Sequence, residues 1–254
     1  PDLYGAAPRA DQGLYHRKVR LMATGHEHTV KAFDEDIKHL RALISQMGGL
    51  AEEAISDAMT ALERGDVALA KQVRAKDKAI DAIEAEVEKL AVRVIALRAP
   101  MADDLRDCVA ALKIAGVVER IGDYAKNIAK RVPLIHTTGS ERIEAISVIP
   151  AMAQLASEMV HDVLDAFSAR DAEGAIRVIE RDNRLDDFYD SIFRTLVTYM
   201  VENPRTVSEV AHLLFVAKNI ERIGDHATNV AEMVYFAATG QYLADRDPVE
   251  VPEA

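Results

Sequence analysis

One phrase is written twice in the chain, and both copies carry carboxylates at helical spacing. "ERIGDYAKNIAK" begins at Glu119 and "ERIGDHATNVAE" begins at Glu221. In each copy an aspartate, Asp123 or Asp225, follows the glutamate by four residues, so on a helix the two side chains lie on successive turns of one face. Carboxylate oxygens are hard ligands that suit Mg, Mn, Fe or Ca, and they also accept Zn. These four residues are therefore candidate metal ligands.

Two further pairs of aspartates precede the repeated phrases. Asp77 and Asp81 lie on the helix predicted before the first phrase, and Asp182 and Asp186 lie on the helix predicted before the second. If these helices are neighbours, four carboxylates converge on one patch in each half of the chain. Such a patch repels itself, so either some carboxyls take up protons or a cation sits among them. Weaker candidates are Asn127 and Asn229, and a second tier is formed by the matched pairs Glu53/Asp57 and Glu158/Asp162.

The same residues also have simpler explanations. Acidic pairs on a helix most often face solvent or pair with basic side chains. A glycine, Gly122 or Gly224, stands one residue before the aspartate, although a mid-helix glycine costs about 1 kcal/mol relative to alanine. It leaves room for close approach of a helix, an ion or a partner, and close packing is the favoured explanation. The bases available for pairing with the carboxylates are Arg120, Arg222, Lys126 and Lys130.

The repeated phrases belong to a larger internal repeat. Apolar residues recur at spacings of three and four along six segments, which predicts six long helices and an all-α fold. A shift of 102 residues superposes the third segment on the sixth, and a shift of 105 superposes the second on the fifth. Helices of this length joined by short turns pack antiparallel, so we expect two tandem three-helix bundles related by duplication. The predicted helices span about 34–63, 66–97, 102–131, 141–169, 171–201 and 206–238, and Pro150 either kinks the fourth or marks its true start.

The repeat sets the expected domain boundaries. Residues 28–135 form the first repeat and residues 141–239 form the second, separated by the loop "HTTGS". Residues 1–27 are expected to be a leader outside the fold, either disordered or not native, and Met22 is a candidate natural start. Residues 240–254 are expected to be a flexible tail.

Composition narrows the class of partners. The net charge is −11, and an acidic surface disfavours nucleic acid as a partner. Cys108 is the single cysteine, so no intrachain disulfide can form and a reducing cytoplasm is the expected compartment. No run of about 18 apolar residues is present, so the chain is expected to meet a membrane only through its partners. Exposed apolar residues on long helices favour a homodimer.

Features of an active site are scarce in the sequence. "EVAH" at 209–212 supplies one Glu-x-x-His element of the type found in di-iron bundles, but its counterpart at 107–110 lacks the pairing that such a site needs. No phosphate-binding glycine loop, nucleophile elbow or Cys/His zinc spacing is present. The sequence therefore predicts that the protein is not an enzyme and has no catalytic residues. A carboxylate-bridged metal enzyme of the helical-bundle type and a metal-free structural bundle remain as alternatives.

The two phrases, set in tandem three-helix repeats, resemble the PhoU family of phosphate-signalling regulators. The stretch "HTVKAFDEDIKHLRALISQMGGLAEEAISDAMTAL" is also similar to the first helix of that family, and the resemblance covers about 28–239. It implies a cytoplasmic, non-enzymatic regulator that represses the phosphate-starvation response and limits phosphate uptake. It also implies an adaptor between the ATPase subunit of a phosphate ABC transporter and a phosphate-sensing histidine kinase.

The resemblance further implies metal binding at the acidic positions. Family members carry acidic motifs of this type, and some hold multinuclear metal clusters on the bundle surface. The expected cofactor is therefore one or more divalent or ferric ions, with Fe, Zn, Mn and Mg all open. The residues that match the family's motif are Asp77, Asp81, Glu119, Asp123, Asp182, Asp186, Glu221 and Asp225.

Overall fold

The structure, a computed structural model, describes residues 12–135 and 148–243, and the side chains from Phe33 onward. Throughout this described part the chain is helical and contains no β-strand. The predicted all-α fold is confirmed. The helices are α1 (Gln12–Arg64), α2 (Val67–Arg98), α3 (Asp103–Ala129), α4 (Val132–Ile135), α5 (Ile149–Ala169), α6 (Ala172–Glu202) and α7 (Val207–Thr239), with a short 3-10 helix at Pro204–Thr206.

Matched aspartates start the second long helix of each repeat. Asp66 precedes α2, and its side chain accepts hydrogen bonds from the backbone N–H groups of Ala68 and Leu69, each at 2.9 Å. Asp171, which the 105-residue shift superposes on Asp66, precedes α6 and accepts from the N–H of Gly174 at 2.9 Å. Each cap satisfies backbone donors that the first helical turn would otherwise leave free. The duplication therefore extends to the turn that reverses the chain.

Each repeat packs as a bundle of three long helices. α1, α2 and α3 pack against one another, as do α5, α6 and α7, and the two bundles meet where α3 packs on α7 and α1 packs on α5. The apolar stripe predicted on α3 is buried, and so is its copy on α7, so that one aliphatic core runs through both repeats. The stripe consists of Ile114, Val118, Ile121, Ala125 and Ile128, and its copy of Val216, Ile220, Ile223, Ala227 and Val230.

α3 and α7 run antiparallel along the contact between the repeats. Arg106, near the start of α3, lies beside Gly240, the residue that ends α7. Farther along both helices the rings of Tyr124 and His226 meet edge to face, with their centroids 5.1 Å apart. Tyr124 and His226 occupy the same position in the two repeated phrases. The phrases therefore lie side by side at the contact between the bundles.

The start of α1 differs from the predicted start, and the start of α5 decides the role that the sequence left open for Pro150. α1 begins at Gln12 rather than near Asp34, so residues 12–27, expected to belong to a leader, continue the first helix. No proline interrupts the chain from Gln12 to the end of α1, so the residue type that breaks helices most strongly is absent there. α5 begins at Ile149 with Pro150 in its first turn, so this proline marks the start of the helix and does not kink it.

Parts of three expected segments lie outside the described residues. These parts are residues 1–11 of the leader, the loop and helix start at 136–147, and the tail from residue 244. Before that tail, α7 ends at Gly240, whose φ of +75° lies in the left-handed region that favours glycine.

A buried acid joins the two repeats. Asp107 on α3 accepts a hydrogen bond from Nη2 of Arg41 on α1 at 2.8 Å, and it lies 3.3 Å from Nη1 of Arg170 at the end of α5. Arg170 also donates to the backbone carbonyl of Ala237 on α7 at 3.1 Å. Burial raises the pKa of Asp107, although both arginines oppose the rise. Because this cluster connects α1, α3, α5 and α7, we infer that it fixes the position of one repeat against the other.

Removing this carboxylate should destabilise the fold. We expect Asp107→Ala to lower the free energy of unfolding by about 2 kcal/mol, because two partly buried arginines lose the charge that compensates them. The arginines keep some contact with solvent, which holds the loss below that of a fully buried pair. Urea unfolding followed by circular dichroism measures the change.

The exposed pair of Asp190 and Arg194 on α6 provides a matched control. Asp190→Ala should change the free energy of unfolding by less than about 0.5 kcal/mol, since solvent screens that pair. Equal losses in the two variants would contradict the role given to Asp107.

Candidate metal centre

The glycine of each phrase lets a neighbouring helix approach closely. A Cβ built on Gly122 would lie 2.7 Å from Cδ1 of Ile80 on α2, and one built on Gly224 would overlap Cδ2 of Leu185 on α6. The structure thus supports the packing explanation for both glycines. The same close approach brings Asp77 of α2 beside α3 and Asp182 of α6 beside α7. Each aspartate lies one helical turn before the side chain that contacts the glycine.

In the second repeat three predicted ligands converge at the contact between α6 and α7. One carboxylate oxygen from each of Asp182, Asp186 and Asp225 lies within 4.8 Å of the others. Oδ1 of Asp182 is buried and has no hydrogen-bond partner among the described residues. Burial, followed by the charges of the surrounding carboxylates, raises the pKa of Asp182 to about 6. A buried oxygen without a donor, surrounded by like charges, is a position that a cation would stabilise.

Glu221, the fourth predicted ligand of this repeat, is held by a lysine. Both of its carboxylate oxygens lie 2.5 Å from Nζ of Lys218, three residues earlier on α7. Lys218 also lies over the ring of Tyr189 on α6, 5.2 Å from its centroid. Glu221 still acts on the cluster, because burial and then its charge raise the pKa of Asp186. The repeated phrase does not include Lys218, and the i, i+3 spacing to Glu221 is the one signal that could have revealed it.

In the first repeat a lysine bridges two of the predicted ligands. Nζ of Lys126 lies 2.5 Å from Oδ2 of Asp77 and 2.7 Å from Oδ1 of Asp123, so one ammonium joins α2 to α3. Hydrogen bonds to the two aspartates raise the pKa of Lys126, which therefore stays charged. Asp77 is buried, and its charge is compensated inside the protein.

The other two predicted ligands of the first repeat lie beside that ion pair. Burial, followed by the charges of Asp123 and Glu84, raises the pKa of Glu119, and Asp81 contributes to the same rise. Glu84 is not among the expected ligands, although its place seven residues after Asp77 puts it on the same face of α2. In this repeat a lysine thus joins Asp77 to Asp123, and Asp81 and Glu119 lie close enough for their charges to interact.

The two repeats therefore differ in how their acidic clusters are compensated. Under the 102-residue shift Lys126 superposes on Thr228, and Lys218 superposes on Gly116. The hydroxyl of Thr228 donates to the backbone carbonyl of Asp225 at 2.7 Å and brings no positive charge. Among the predicted aspartates that the structure describes, Asp77 and Asp123 of the first repeat are paired with a base, the alternative that the sequence left open. We name Asp77, Asp81, Glu119, Asp123 and Lys126 the lysine-filled cluster, and Asp182, Asp186, Glu221 and Asp225 the open cluster.

The second-tier pairs lie on other contacts of the bundles. Nζ of Lys76 on α2 lies 2.6 Å from Glu53 and 3.2 Å from Asp57, both on α1. Arg181, which the 105-residue shift superposes on Lys76, forms the equivalent ion pair with Asp162 on α5. These aspartates are already paired with a base in each repeat, so they are poorer metal ligands than the open cluster.

The remaining weaker candidates also have other contacts. Asn127 accepts a hydrogen bond from Nζ of Lys130 at 2.9 Å. Glu158 accepts one from the amide of Gln154 at 3.1 Å. Asn229 lines a groove between α3 and α7.

The histidine of the Glu-x-x-His element lies against a base. Nδ1 of His212 is 3.2 Å from Nη1 of Arg131, and burial and then this arginine lower the pKa of His212. A histidine in that position meets a positive charge rather than a carboxylate cluster. The element thus lacks the surroundings of a di-iron ligand.

The two bundles match a known domain. The PhoU domain family matches residues 44–132 and 149–234, one match in each repeat. The chain belongs to the PhoU family. The second match begins at the first residue of α5, and the resemblance expected from the repeated phrases is confirmed.

Relatives of this PhoU-family chain are named for a phosphate transport system. The phosphate-specific transport system accessory protein PhoU homolog of Zymomonas mobilis is 55% identical over 219 residues, covering 86% of this chain and 92% of the relative. The phosphate-specific transport system accessory protein PhoU of Escherichia coli is 35% identical over 216 residues, covering 85% and 89%. These names describe accessory proteins rather than a class of enzyme.

Solved PhoU structures share the fold. The crystal structure of PhoU from Pseudomonas aeruginosa has a TM-score of 0.78 at 36% identity, covering 82% of this chain and all of that one (100%). The phosphate transport system regulatory protein PhoU from Streptococcus pneumoniae has a TM-score of 0.76 at 26% identity, covering 83% and 99%. In the described part of this PhoU-family chain, no helix has the length and apolar character needed to span a membrane.

The raised pKa of Asp182 predicts a pH-dependent stability of the metal-free protein. Because the folded state binds this proton more tightly than the unfolded chain, the contribution of Asp182 favours folding at low pH and is lost as the pH rises through about 6. We expect Asp182→Asn, which cannot ionise, to raise the free energy of unfolding at about pH 7.5 by about 1 kcal/mol, a value reduced for solvent screening. Urea unfolding between about pH 5 and about pH 7.5, with a chelator present, measures the effect.

The control for this measurement is Glu180→Gln, at an exposed glutamate on the same helix. It should leave the free energy of unfolding unchanged within about 0.5 kcal/mol at both pH values. If the Asp182→Asn variant kept the full pH dependence of the wild type, the stated role of Asp182 would be wrong.

Proposed function

We propose that this PhoU-family chain is a negative regulator of phosphate uptake and of the phosphate-starvation response. It acts in the cytoplasm as an adaptor between the ATPase subunit of a phosphate ABC transporter and a phosphate-sensing histidine kinase, and it works as a homodimer. The observation that carries the proposal is the match of both repeats to the PhoU domain, in a chain whose relatives are named as accessory proteins of a phosphate transport system. Contact with the membrane then occurs through these partners.

The proposal gives the protein no catalytic role. Helical-bundle oxidases combine carboxylates with paired histidines, whereas the close group of possible ligands in the described residues consists of aspartates. The single Glu-x-x-His element places His212 against Arg131. The arrangement therefore favours a regulator over the alternative of a carboxylate-bridged enzyme.

Metal binding at the open cluster is the second part of the proposal. Asp182, Asp186 and Asp225 supply close carboxylate oxygens, and the buried Oδ1 of Asp182 has no donor in the described part of the chain. With Glu221 the cluster contains four carboxylates and one nearby ammonium, that of Lys218, so its net charge is strongly negative. These residues fit a cation, because its charge offsets the repulsion that raises the pKa of Asp182.

The oxygen-only donor set guides the choice of ion. Carboxylates suit ferric or divalent Fe, Mn and Mg, and they also accept Zn. Each carboxylate has two oxygens, so the cluster has enough donors for more than one ion. When bound, the ion compensates the aspartates and links α6 to α7. Docking of partners on this surface then becomes sensitive to metal.

The lysine-filled cluster should bind metal more weakly. An ion there has to displace Nζ of Lys126, which already lies 2.5 Å from Asp77 and 2.7 Å from Asp123. The sequence led us to expect equivalent sites in the two repeats. The contacts of Lys126 support unequal sites instead.

Exchanging the superposed residues tests the metal proposal. Thr228→Lys introduces an ammonium beside the open cluster and should reduce the affinity for Mn²⁺ by at least about tenfold, because the ammonium competes with the ion for the same oxygens. Lys126→Thr removes the ammonium from the first cluster and should add a second equivalent of bound Mn²⁺. Titration calorimetry of chelator-treated, tag-free protein measures both changes, and elemental analysis of protein purified without chelator identifies the natural ion.

Matched variants make this test specific. Asp225→Asn should abolish Mn²⁺ binding at the open cluster. Asp123→Asn should change the total Mn²⁺ binding little, because Asp123 is already paired with Lys126. Lys76→Thr, which removes a base from a second-tier pair, should leave Mn²⁺ binding unchanged. Circular dichroism should show the same helicity throughout. No metal in the purified protein and no response to Thr228→Lys would mean a metal-free structural bundle.

The adaptor proposal predicts two partners. From phosphate-replete cells the immobilised full-length protein should retain the transporter ATPase subunit and the sensor kinase, both identified by mass spectrometry. A chelator, or Asp225→Asn, should reduce their recovery several-fold if the metal supports docking. Recovery of neither partner from metal-replete extracts would overturn the adaptor role. Equal recovery with and without chelator would show that docking does not depend on metal.

A further inference from the structure

A groove of about 330 Å³ lies where α3 meets α7, and the regulatory role proposed above makes no use of it. Apolar side chains such as Val117 and Met233 line it, together with a small number of charged and aromatic residues. Pockets that bind small molecules have this composition and about this size. The groove therefore has the character of a small-molecule binding site.

Basic side chains follow one wall of the groove at intervals of two helical turns. Arg106, Lys113 and Arg120 are seven residues apart on α3, which spaces them by about 10 Å. Arg106 is already paired, with Nη2 lying 2.5 Å from Asp103. Lys113 and Arg120 are exposed and form no ion pair within the described ranges. In a chain of net charge −11, these two cations beside apolar side chains favour an anionic ligand.

Two stacked aromatic rings stand at one end of the groove. The rings of Phe236 and Tyr242 have centroids 4.6 Å apart and planes inclined by 19°. The left-handed turn at Gly240 reverses the chain and brings Tyr242 back over α7. Arg106, held by Asp103, packs against this turn. The side chain of Tyr242 is 63% exposed, so its ring is available to a planar ligand.

The groove carries several kinds of chemistry along its length. Because α3 and α7 are antiparallel, the aromatic pair lies near Arg106, His226 lies near Arg120, and Lys113 and Glu232 lie between these ends. Glu232 is the one acidic residue among the described residues that line the groove. Bases stack on aromatic rings, a carboxylate accepts hydrogen bonds from ribose hydroxyls, and lysine and arginine bind phosphates. The groove thus offers a partner for each part of a nucleotide.

We propose that the groove between α3 and α7 binds a nucleoside polyphosphate, with the base against Tyr242, the ribose hydroxyls at Glu232 and the phosphates at Lys113 and Arg120. The donor set is cationic and aromatic, so this site is chemically distinct from the acidic clusters. An acidic helix of another protein fits less well, because the aromatic pair obstructs one end of the groove.

Calorimetric titration of ATP into the full-length protein tests this site. EDTA in the buffer keeps metal out of the acidic clusters, so that they cannot contribute to binding. We expect saturable binding of ATP, and Lys113→Ala, at an exposed position, should weaken it by at least about tenfold. Lys89→Ala, at an exposed lysine on α2, is the matched control and should leave the affinity unchanged.

Tripolyphosphate and inorganic phosphate separate recognition of a nucleotide from recognition of phosphate alone. Tyr242→Ala should weaken ATP binding by about tenfold and leave tripolyphosphate binding unchanged, since only the nucleotide has a base to stack. Phosphate or tripolyphosphate binding as tightly as ATP would overturn the nucleotide assignment. The site itself would be overturned by the absence of saturable ATP binding below about 1 mM to protein with wild-type circular dichroism, or by equal losses in Lys89→Ala and Lys113→Ala.

Discussion

Helices that pack closely cannot keep their facing carboxylates apart, and this constraint shapes both repeats. Because Gly122 and Gly224 have no side chain, Ile80 packs closely on α3 and Leu185 packs closely on α7. The same contact fixes an aspartate of the neighbouring helix beside an aspartate of the repeated phrase. Like charges held this close raise each other's pKa unless a cation compensates them. The apolar packing that stabilises the bundles therefore creates the need for positive charge at the site.

The repeats meet this need in different ways. In the lysine-filled cluster the ammonium of Lys126 is a permanent part of the chain, so Asp77 and Asp123 are compensated as soon as the protein folds. In the open cluster Lys218 pairs with Glu221 and Thr228 brings no charge, so compensation of the three aspartates depends on protons or on an ion from solution. Asp107 is compensated in the first way, by two arginines from different helices. Internal bases thus hold the scaffold together, whereas the open cluster is left to respond to its surroundings.

The residue pattern alone predicts much of this fold, because periodicity and duplication are properties of the sequence. The buried stripes of α3 and α7, the tandem bundles and the approach of Asp182, Asp186 and Asp225 all follow from spacing. The base that enters each cluster does not, because a flexible side chain such as Lys126 or Lys218 reaches several acids and only the packing decides among them. The groove beside Tyr242 depends on the antiparallel contact of helices far apart in sequence. α1 starts at Gln12, ahead of the apolar stripe that predicted a start near Asp34, so periodicity could not place it.

The contact of α3 with α7 sets equivalent positions of the two phrases side by side, as Tyr124 and His226 show. A dimer of identical subunits could make a similar contact about a twofold axis, but each mutation would then appear on both sides at once. In a fused duplicate each half has its own codons. One repeat can therefore carry a lysine at a position where the other carries a threonine, and a tyrosine of one repeat can contact a histidine of the other. A single gene thus encodes two centres that evolve independently on a scaffold that stays nearly symmetric.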